Sequence, residues 1–333
     1  MIAELPADLR TGLEAETVRA PEERMAQSVT RLIEAYRSGR PATAPILTSG
    51  MDVAAYAAYR MPATFAAVRS ALAQIAQALP EFGPRSQLDV GGGTGAAAWA
   101  AADAFPGLSD ITVLDQVADA LGLGKRLASR AGSPALRQAA WQQWQAAQPA
   151  ELPGADLVTL SYVLGELTEQ AQAALTARLL GAAKGLLLVI EPGTPAGYQR
   201  ILRVRQAMLD HGLTIVAPCP HQAACPLAEV PGDWCHFAAR VNRSALHRRL
   251  KSAQLGHEDE KFSFIAAAPA DVPLRPAARV LRHPQFRKGM VTMQLCRADD
   301  TVRPQIVSKK EGPLYREARD VEWGAAWPPD PRG

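Results

Sequence analysis

The stretch Leu88–Gly95 constrains the fold of this chain more than any other segment. Its sequence is Leu-Asp-Val-Gly-Gly-Gly-Thr-Gly, and the alanine-rich run 96–101 follows it. An apolar run that ends in a glycine-dense loop and continues into good helix formers predicts a buried β-strand, a tight turn and a helix. Glycine permits the positive φ and the close backbone approach that such a turn needs. The free backbone N–H groups at the start of the helix then form a binding site for an anionic group.

The spacing of this loop, acid-x-Gly-x-Gly-x-Gly, is typical of class I methyltransferases, which use it to hold the methionine end of S-adenosylmethionine. We therefore predict Asp89, Gly91, Gly93 and Gly95 as cofactor-binding residues. The looser fingerprint of nicotinamide- and flavin-binding loops is also satisfied, because Ala96 follows at the required spacing. The acid ahead of the glycines and the order of elements downstream favour the methyl donor. A purely structural strand–helix turn is the third interpretation.

A second acid follows at the distance where a ribose-binding residue belongs. The apolar run 111–115 predicts the second strand, and it ends in Asp115, about 20 residues beyond the glycines. A carboxylate there can accept hydrogen bonds from both ribose hydroxyls, whereas the alternative role is a helix N-cap. Where an acid usually contacts the adenine, this chain has Trp141 and Trp144. Each of them either stacks on the base or, more commonly for tryptophan, packs in the core.

Strands and helices alternate after residue 85, which predicts an α/β fold with a largely parallel sheet covered on both faces. The expected fold is the class I S-adenosylmethionine-dependent methyltransferase (Rossmann-like) fold. The remaining strands are expected near residues 136–141, 155–161, 186–190, 260–267 and 290–296. We divide the chain into an N-terminal helical extension (1–80), a methyltransferase-like domain (81–300) with a cysteine-rich, metal-binding insertion (213–241), and a charged, proline-containing tail (301–333) that we expect to be loosely attached.

Composition and charge bear on the compartment and the partner. No apolar run is long enough for a membrane span, and the first residues lack the pattern of a signal peptide, so a soluble cytoplasmic protein is expected. The net charge of +3 hides an asymmetry, because residues 1–198 carry −4 and residues 199–310 carry +9. A basic second half indicates a polyanionic partner, most simply RNA, and a solvated surface is the alternative. Basic side chains, some on a helix predicted over 244–252, are candidate phosphate contacts: Arg248, Arg249, Lys251, Arg282, Arg287 and Lys288.

The chain has four cysteines, and three of them lie within one proline-containing segment. Cys219, Cys225 and Cys235 belong to the insertion, whereas Cys296 ends the last predicted strand. The insertion contains few apolar side chains for a core of its own, so we expect a metal to order it. Disulfides are not expected in a cytoplasmic chain.

The spacing of the thiols leaves the kind of metal open. Zinc sites usually pair cysteines two to four residues apart, whereas the gaps in the insertion are six and ten residues. Iron–sulfur clusters also use four thiolates and tolerate wider gaps, and prolines follow Cys219 and Cys225 as they follow ferredoxin ligands. His221 and His236 are either substitute ligands or neighbours of the site. Four reduced structural cysteines are the alternative without a metal.

Several short stretches, in order along the chain, resemble one known family. They are Tyr59–Thr64 (YRMPAT), Glu191–Gly197 (EPGTPAG), Ala217–His221 (APCPH), Cys225–Leu227 (CPL), Trp234–Phe237 (WCHF) and Glu258–Phe264 (EDEKFSF). Together they look like the small-ribosomal-subunit methyltransferase-like family, whose mitochondrial members are small-subunit ribosomal or assembly proteins. The resemblance spans roughly residues 50–310. An ordered series of this kind is far more specific than the glycine loop alone.

The resemblance has implications for the fold, the partner and the cofactors. It implies a class I methyltransferase fold that binds small-subunit ribosomal RNA during ribosome assembly. It also implies a four-iron, [4Fe-4S] cluster on the matching cysteines, which here are Cys219, Cys225, Cys235 and Cys296. The resemblance therefore favours iron–sulfur over zinc. It also implies that methyl transfer does not follow from the fold in every member.

No residue is singled out as catalytic. Enzymes that methylate exocyclic amines usually carry an Asn/Asp-Pro-Pro-aromatic motif after the fourth strand, where this chain has Ser161–Leu164 (SYVL). Cytosine C5 enzymes need a nucleophilic cysteine, and all four cysteines are assigned to the metal. Glu166, Glu191 and Tyr162 are the candidate bases. We expect an S-adenosylmethionine-dependent RNA methyltransferase. A non-catalytic iron–sulfur assembly factor on the same fold is the alternative, and an NAD-dependent oxidoreductase is a distant third.

Overall fold

The structure is a computed structural model that describes residues 4–17, 22–37, 49–146, 151–242, 257–269, 271–273 and 275–329. The predicted basic helix over 244–252, with Arg248, Arg249 and Lys251, lies outside the described residues. The helices are α1 Ala7–Thr17, α2 Glu22–Arg37, α3 Gly50–Tyr59, α4 Met61–Ala78, α5 Ala96–Ala104, α6 Ala118–Ala128, α7 Pro134–Gln138, α8 Glu169–Ala182, α9 Pro195–Asp210 and α10 Pro313–Asp320. No helix within the described ranges combines the length and the apolar character needed to cross a bilayer.

The larger sheet has eight strands and is mostly parallel. Its strands are β1 Ser86–Val90, β2 Asp110–Asp115, β3 Ala140–Gln143, β4 Ala155–Ser161, β5 Ala183–Pro192, β6 Thr214–Ala217, β7 Phe237–Asn242 and β8 His257–Ala268. Their order is β3-β2-β1-β4-β5-β8-β6, with β7 paired to β8. The first five strands are parallel, and β8 is antiparallel to β5, β6 and β7. The order reverses beside β1, which is the switch point where open α/β sheets bind ligands.

The run Leu186–Ile190 explains how this sheet is buried. It has five consecutive apolar residues in the middle of β5. Because strand side chains alternate, residues 186, 188 and 190 pack with α4, α5 and α6 on one face, whereas 187 and 189 pack with α8 and α9 on the other. A strand buried on both faces needs a continuous apolar run rather than an alternating one. The prediction of helices on both faces of the sheet is therefore confirmed.

A second sheet follows β8 and corrects two predictions. Its strands are β9 Ala278–Val280, β10 Gln285–Arg287, β11 Met290–Arg297, β12 Val302–Ser308 and β13 Ala326–Trp327. The order is β10-β11-β9-β13, with β12 paired to β11. The prediction that 290–296 is the seventh strand of the main sheet is wrong, because β8 lies at that position in the main sheet and β11 belongs to the second sheet.

The tail that we expected to be loosely attached is also packed. Strand β12 pairs with β11 over seven residues, and α10 and β13 add side chains to the apolar core of the second sheet. Trp327 is 2% exposed in that core. The sequence did not indicate that residues 302–327 are packed, because prolines and charged residues separate their apolar positions. The packing fixes residues 302–327 to the rest of the chain.

Candidate functional site

The glycine loop has the backbone conformation that its sequence predicts. Gly91, Gly93 and Gly95 have φ of +67°, +55° and +84°. A Cβ at Gly91 would lie 2.4 Å from Cγ2 of Val163, and one at Gly95 would lie 2.5 Å from Cη2 of Trp141. Both positions therefore exclude a side chain by conformation and by space. The loop leads from β1 into α5, so its N–H groups face the carboxyl edge of the sheet.

Asp115 ties the end of β2 to this loop. One carboxylate oxygen accepts a hydrogen bond from the N–H of Gly93 at 2.8 Å, and the other accepts from the N–H of Val117, also at 2.8 Å. Burial raises the pKa of Asp115, and these two hydrogen bonds act against that shift. The side chain is half-buried and remains in contact with the pocket. Its position suits both the predicted ribose contact and the alternative role of stabilising a turn.

A pocket of about 810 Å³ lies at the carboxyl edge of β1, β2 and β4. Three of the predicted cofactor-binding residues, Gly91, Gly93 and Asp115, line it. Trp144 also lines it, and the guanidinium of Arg178 lies 4.9 Å from the centre of the Trp144 ring. The pocket is therefore bounded by a backbone loop, a carboxylate and an indole, which are the groups that suit an amino acid, a ribose and a base, respectively.

Two of the predicted cofactor-binding residues lie outside this lining. Asp89 is fully buried below the loop, where it accepts a hydrogen bond from Oγ1 of Thr159 at 2.8 Å. A Cβ at Gly92 would lie 2.4 Å from its carboxylate, which explains a glycine that the spacing argument left out. Burial raises the pKa of Asp89 to about 7, against the hydrogen bond from Thr159. Gly95 contacts Trp141, which packs in the core rather than in the pocket.

A buried polar group that sequence reasoning missed closes one side of the pocket. Tyr162 follows β4 with φ of +62°, and its hydroxyl donates to Glu260 at 2.9 Å. Arg60 donates to both oxygens of the same carboxylate, at 3.0 and 2.9 Å, and its guanidinium lies 5.0 Å from the centre of the Tyr162 ring. The available signal was that Arg60 and Glu260 both belong to stretches shared with the family that the sequence resembles.

This arrangement determines which candidate base is available. Burial, with the adjacent Glu260 carboxylate, raises the pKa of Tyr162 well above its ordinary value, so the phenol keeps its proton. Glu191 is fully buried and accepts from the N–H of Leu164 at 3.0 Å and from Nε of Arg200 at 2.6 Å. Glu166 lines the pocket, and burial raises its pKa to about 7, with smaller contributions from Asp115 and Glu191. Glu166 is the carboxylate of the three candidates best placed to exchange a proton near neutral pH.

All four cysteines line a second pocket. It has a volume of about 530 Å³ between α9, the segment 218–236 and β11, and its lining combines apolar side chains with Arg205, His221 and Arg279. Cys296 reaches this pocket from the second sheet rather than from the main sheet. The Sγ atom of Cys225 lies 3.1 Å from the hydroxyl of Tyr198. The fold thus brings together thiols that are up to 77 residues apart in the sequence, at positions 219 to 296.

Burial raises the pKa values of Cys219, Cys235 and Cys296. The pKa of Cys235 lies well above its ordinary value, and that of Cys296 is raised to about 12, with the other thiols adding to both shifts. Burial also raises the pKa of Cys219, and the guanidinium of Arg205 opposes that shift. Arg279 lines the same pocket, and burial lowers its pKa to about 10. Burial therefore favours the neutral thiol at Cys219, Cys235 and Cys296.

The metal-ligand prediction stays a prediction. Within the part of the chain that the structure describes, no three side chains of His, Cys, Asp or Glu are grouped so that they hold one metal ion. The two histidines of the segment differ in their contacts. Nε2 of His221 lies 3.5 Å from Sγ of Cys296, whereas His236 stacks on Trp234 with 5.1 Å between ring centres.

The basic side chains predicted to contact phosphate have different surroundings. Arg282 forms an ion pair with Asp233 and donates to the carbonyl of Trp234, so it is already occupied. Arg287 and Lys288 are exposed at the turn between β10 and β11, beside Phe286, which is 58% exposed.

A family model described as mitochondrial small ribosomal subunit Rsm22 matches residues 50–328 of this chain. The chain belongs to the Rsm22 family. The match includes both pockets and extends through β12, α10 and β13, so the second sheet is part of the unit that the family shares. The resemblance to a small-ribosomal-subunit methyltransferase-like family is confirmed.

Individual relatives agree with this assignment. The Rsm22-family chain is 28% identical over 300 residues to the human ribosome assembly protein METTL17, mitochondrial. This alignment covers 84% of this chain and 63% of the relative. The chain is 26% identical over 184 residues to Rsm22-cox11 tandem protein 2, mitochondrial, of Schizosaccharomyces pombe, which covers 43% of this chain and 24% of the relative. The chain thus spans less than two thirds of the length of these relatives.

Solved methyltransferases are also similar in structure to this Rsm22-family chain. One is an O-methyltransferase family protein from Burkholderia thailandensis, at 14% identity and a TM-score of 0.44 over 74% of this chain and 69% of that one. Another is human N-acetylserotonin methyltransferase in complex with SAM, at 18% identity and a TM-score of 0.41 over 78% and 70%. The strand order and the glycine loop described above define the fold as that of the class I methyltransferases.

Proposed function

We propose that this chain is an S-adenosylmethionine-binding, methyltransferase-like protein that acts on, or binds to, small-subunit ribosomal RNA during ribosome assembly or translation. The observation that carries the proposal is the pocket formed by the glycine loop and Asp115. Membership in the Rsm22 family supports the ribosomal partner, and the basic second half of the chain is compatible with RNA.

Binding of the methyl donor follows from the chemistry of the pocket. The N–H groups of the loop suit a carboxylate, Asp115 suits the two ribose hydroxyls, and Trp144 suits stacking on the adenine. Calorimetry with S-adenosylmethionine, S-adenosylhomocysteine and NAD tests this proposal. We expect binding of the first two. Tight binding of NAD alone would establish the oxidoreductase alternative instead.

A non-catalytic assembly factor is the second candidate, and a specific observation favours it. Tyr162 occupies the position after β4 where amine methyltransferases present their catalytic motif, and its hydroxyl is engaged by Glu260. Glu191 is engaged by Arg200 and by the backbone. Only Glu166, among the three candidate bases, lines the pocket with a pKa near 7. Methyl transfer by this chain therefore depends on Glu166 or on a nucleophile that needs no base.

Complementation separates the two candidates. Ribosomal RNA methylation is mapped in a deletion strain that carries either the wild-type gene or the variant Gly93→Arg. Gly93 has φ of +55°, and a long side chain there enters the donor pocket. Loss of one methyl mark together with the assembly defect supports the enzyme. Full rescue of assembly by a folded variant that binds no donor supports the assembly factor.

We further propose that Cys219, Cys225, Cys235 and Cys296 hold a [4Fe-4S] cluster, with zinc as the alternative. The support is that four thiols line one apolar pocket together with two guanidinium groups. A zinc site needs four sulfurs within about 2.3 Å of one ion. In a cluster, each thiolate binds a different iron, so wider spacing of the sulfurs suits it better. The bound cluster would join the segment 218–236 to β11 and replace the protons of the thiols.

Anaerobic purification tests the cluster directly. We expect a brown protein with iron, acid-labile sulfide and absorbance near ~400 nm, all lost in Cys225→Ser. Ser109→Ala, which removes a hydroxyl that donates to the carbonyl of Arg85, is the control and leaves the colour unchanged. A colourless protein with stoichiometric zinc would establish the alternative.

We also propose a cytoplasmic location. Imaging of the tagged full chain in its own host tests this proposal.

A further inference from the structure

Two arginines in the cysteine pocket are buried without an acidic partner among the residues that the structure describes. Arg205 is 4% exposed and Arg279 is 2% exposed. Arginine is almost never fully buried unless its charge is paired, because removing an ion from water costs several kcal/mol. Two such groups in one pocket therefore require an explanation.

The hydrogen bonds of these arginines go to neutral acceptors. Nε of Arg279 donates to the carbonyl of Pro218 at 3.1 Å, and one of its terminal nitrogens donates to that of Gly324 at 3.0 Å. A terminal nitrogen of Arg205 donates to the carbonyl of Ala223 at 2.6 Å. Among the described residues, neither guanidinium forms an ion pair with a carboxylate. Carbonyl groups accept hydrogen bonds from these nitrogens but do not balance the positive charges, and Nε of Arg205 is buried without a hydrogen-bond partner among the described residues.

Two half-buried arginines elsewhere in the described residues have acidic partners. Arg200, five residues before Arg205 on α9, donates to the fully buried Glu191 at 2.6 Å. Arg60 forms a two-hydrogen-bond pair with Glu260. The missing acid at Arg205 and Arg279 is thus not a general property of the chain. What these two arginines share is the pocket lined by the four cysteines.

We propose that Arg205 and Arg279 are the counter-charges of an anionic metal centre held by Cys219, Cys225, Cys235 and Cys296. The inference rests on the proposed cluster. Four thiolates around a four-iron core of charge two plus leave two negative charges, and the two guanidinium groups balance them. They are positioning residues, because they act on the centre through its charge and do not ligate iron.

The charge balance has a measurable consequence for reduction. Uptake of one electron by the cluster adds a third negative charge, which a nearby guanidinium favours at short distance in a poorly hydrated pocket. Removal of either arginine should therefore move the midpoint potential to a more negative value. We expect at least a tenfold shift of the equilibrium between oxidised and reduced cluster, which for one electron is about 59 mV.

The first experiment is a redox titration with dithionite on full-length protein that is purified anaerobically. Arg279→Met and Arg205→Met are compared with Arg279→Lys, which keeps the charge, and with Arg240→Met, whose side chain is 45% exposed. Both buried-site Met variants should show the negative shift, whereas the Lys variant and the control should remain near wild type. Loss of iron from a folded Met variant, restored in the Lys variant, supports the inference equally.

The second experiment separates a charge role from a structural role. Thermal unfolding is measured for wild type and Arg279→Met, with the metal bound and after chelation. A counter-charge predicts opposite signs: the variant is less stable than wild type with metal and more stable without it. If Arg279 only held Pro218 and Gly324 by hydrogen bonds, the variant would be less stable in both states. Arg205→Met repeats the test should the other variant fail to fold.

The outcomes distinguish this inference from the proposal beneath it. A wild-type protein that binds neither iron nor zinc refutes the metal centre and therefore also the counter-charge role. A wild-type protein with a cluster whose potential and stability signs do not respond to the arginines refutes the counter-charge role alone. A zinc-bound protein that shows the reversal of sign on chelation still supports it.

Discussion

The buried pair between Arg60 and Glu260 gives a sharp energetic prediction, because the next residue offers a matched control. Glu260 and Asp259 are neighbours on β8, and each carboxylate receives two hydrogen bonds from one arginine. The Glu260 side chain is 11% exposed and its partner 19%, whereas Asp259 and Arg240 are 35% and 45% exposed. The perturbations are Glu260→Gln and Asp259→Asn, which remove one charge each and keep the shape.

The two losses should differ several-fold. Glu260→Gln leaves Arg60 buried without a counter-charge and turns an amide N–H₂ toward donors of Arg60 or Tyr162. Removing one partner of a buried ion pair costs about 3–5 kcal/mol of the free energy of unfolding. Asp259→Asn removes an exposed pair, which contributes about 0.2–1 kcal/mol. Because Tyr162 lines the donor pocket, only Glu260→Gln should also weaken binding of S-adenosylmethionine.

Urea denaturation followed by circular dichroism, with calorimetry for the methyl donor, measures both effects. The double variant Arg60→Met with Glu260→Gln should recover part of the stability, since it removes the unpaired cation. If Glu260→Gln loses less than about 1 kcal/mol, or no more than Asp259→Asn, the buried charges do not require each other and the reasoning fails.

Three further predictions concern the glycine loop, Asp89 beneath the loop, and the proposed RNA contact at Lys288. Gly91→Ala should weaken binding of S-adenosylmethionine at least ~tenfold by calorimetry, because φ is +67° and the new Cβ would lie 2.4 Å from Val163. Gly107→Ala, with no atom within 4 Å of its Cβ, should leave affinity unchanged. Burial raises the pKa of Asp89 to about 7, so its contribution to stability is complete below the unfolded value of 3.8 and is lost as pH rises through 7. Asp89→Asn should therefore be less pH-dependent than wild type in urea titrations between pH 5 and pH 8, and equal slopes would contradict this. Lys288→Ala should weaken the salt dependence of binding to a small-subunit ribosomal RNA fragment, measured by fluorescence anisotropy. The slope of log affinity against log salt concentration should become smaller by about one.

Local pattern predicted the elements that carry the donor pocket. The strand 155–161 was predicted with the bounds that the structure gives it, and the strand at 111–115 differs by one residue. These predictions succeed because apolar runs and glycine spacing are properties of adjacent residues. The helix Glu22–Arg37 lies in the segment 1–80 that was predicted to be helical.

The second sheet shows where local pattern was insufficient. The strand 290–296 was recognised, but it was placed in the wrong sheet, because pairing is decided by partners distant in sequence. Residues 302–308 have Arg303, Pro304 and Gln305 in a row near their start, and pairing with β11 is what makes them a strand. Intrinsic preference for strands depends on such context.

The sequence by itself determined the glycine loop, the position of Asp115 and the presence of four thiols that suit a metal. Only the tertiary structure decided that Asp89 lies beneath the loop, that Tyr162 is joined to Arg60 and Glu260, and that two guanidinium groups lie beside the thiols. The reason is physical. The conformation of a loop depends on its own residues, whereas the charge balance of a buried site depends on which distant side chains the packed core brings together.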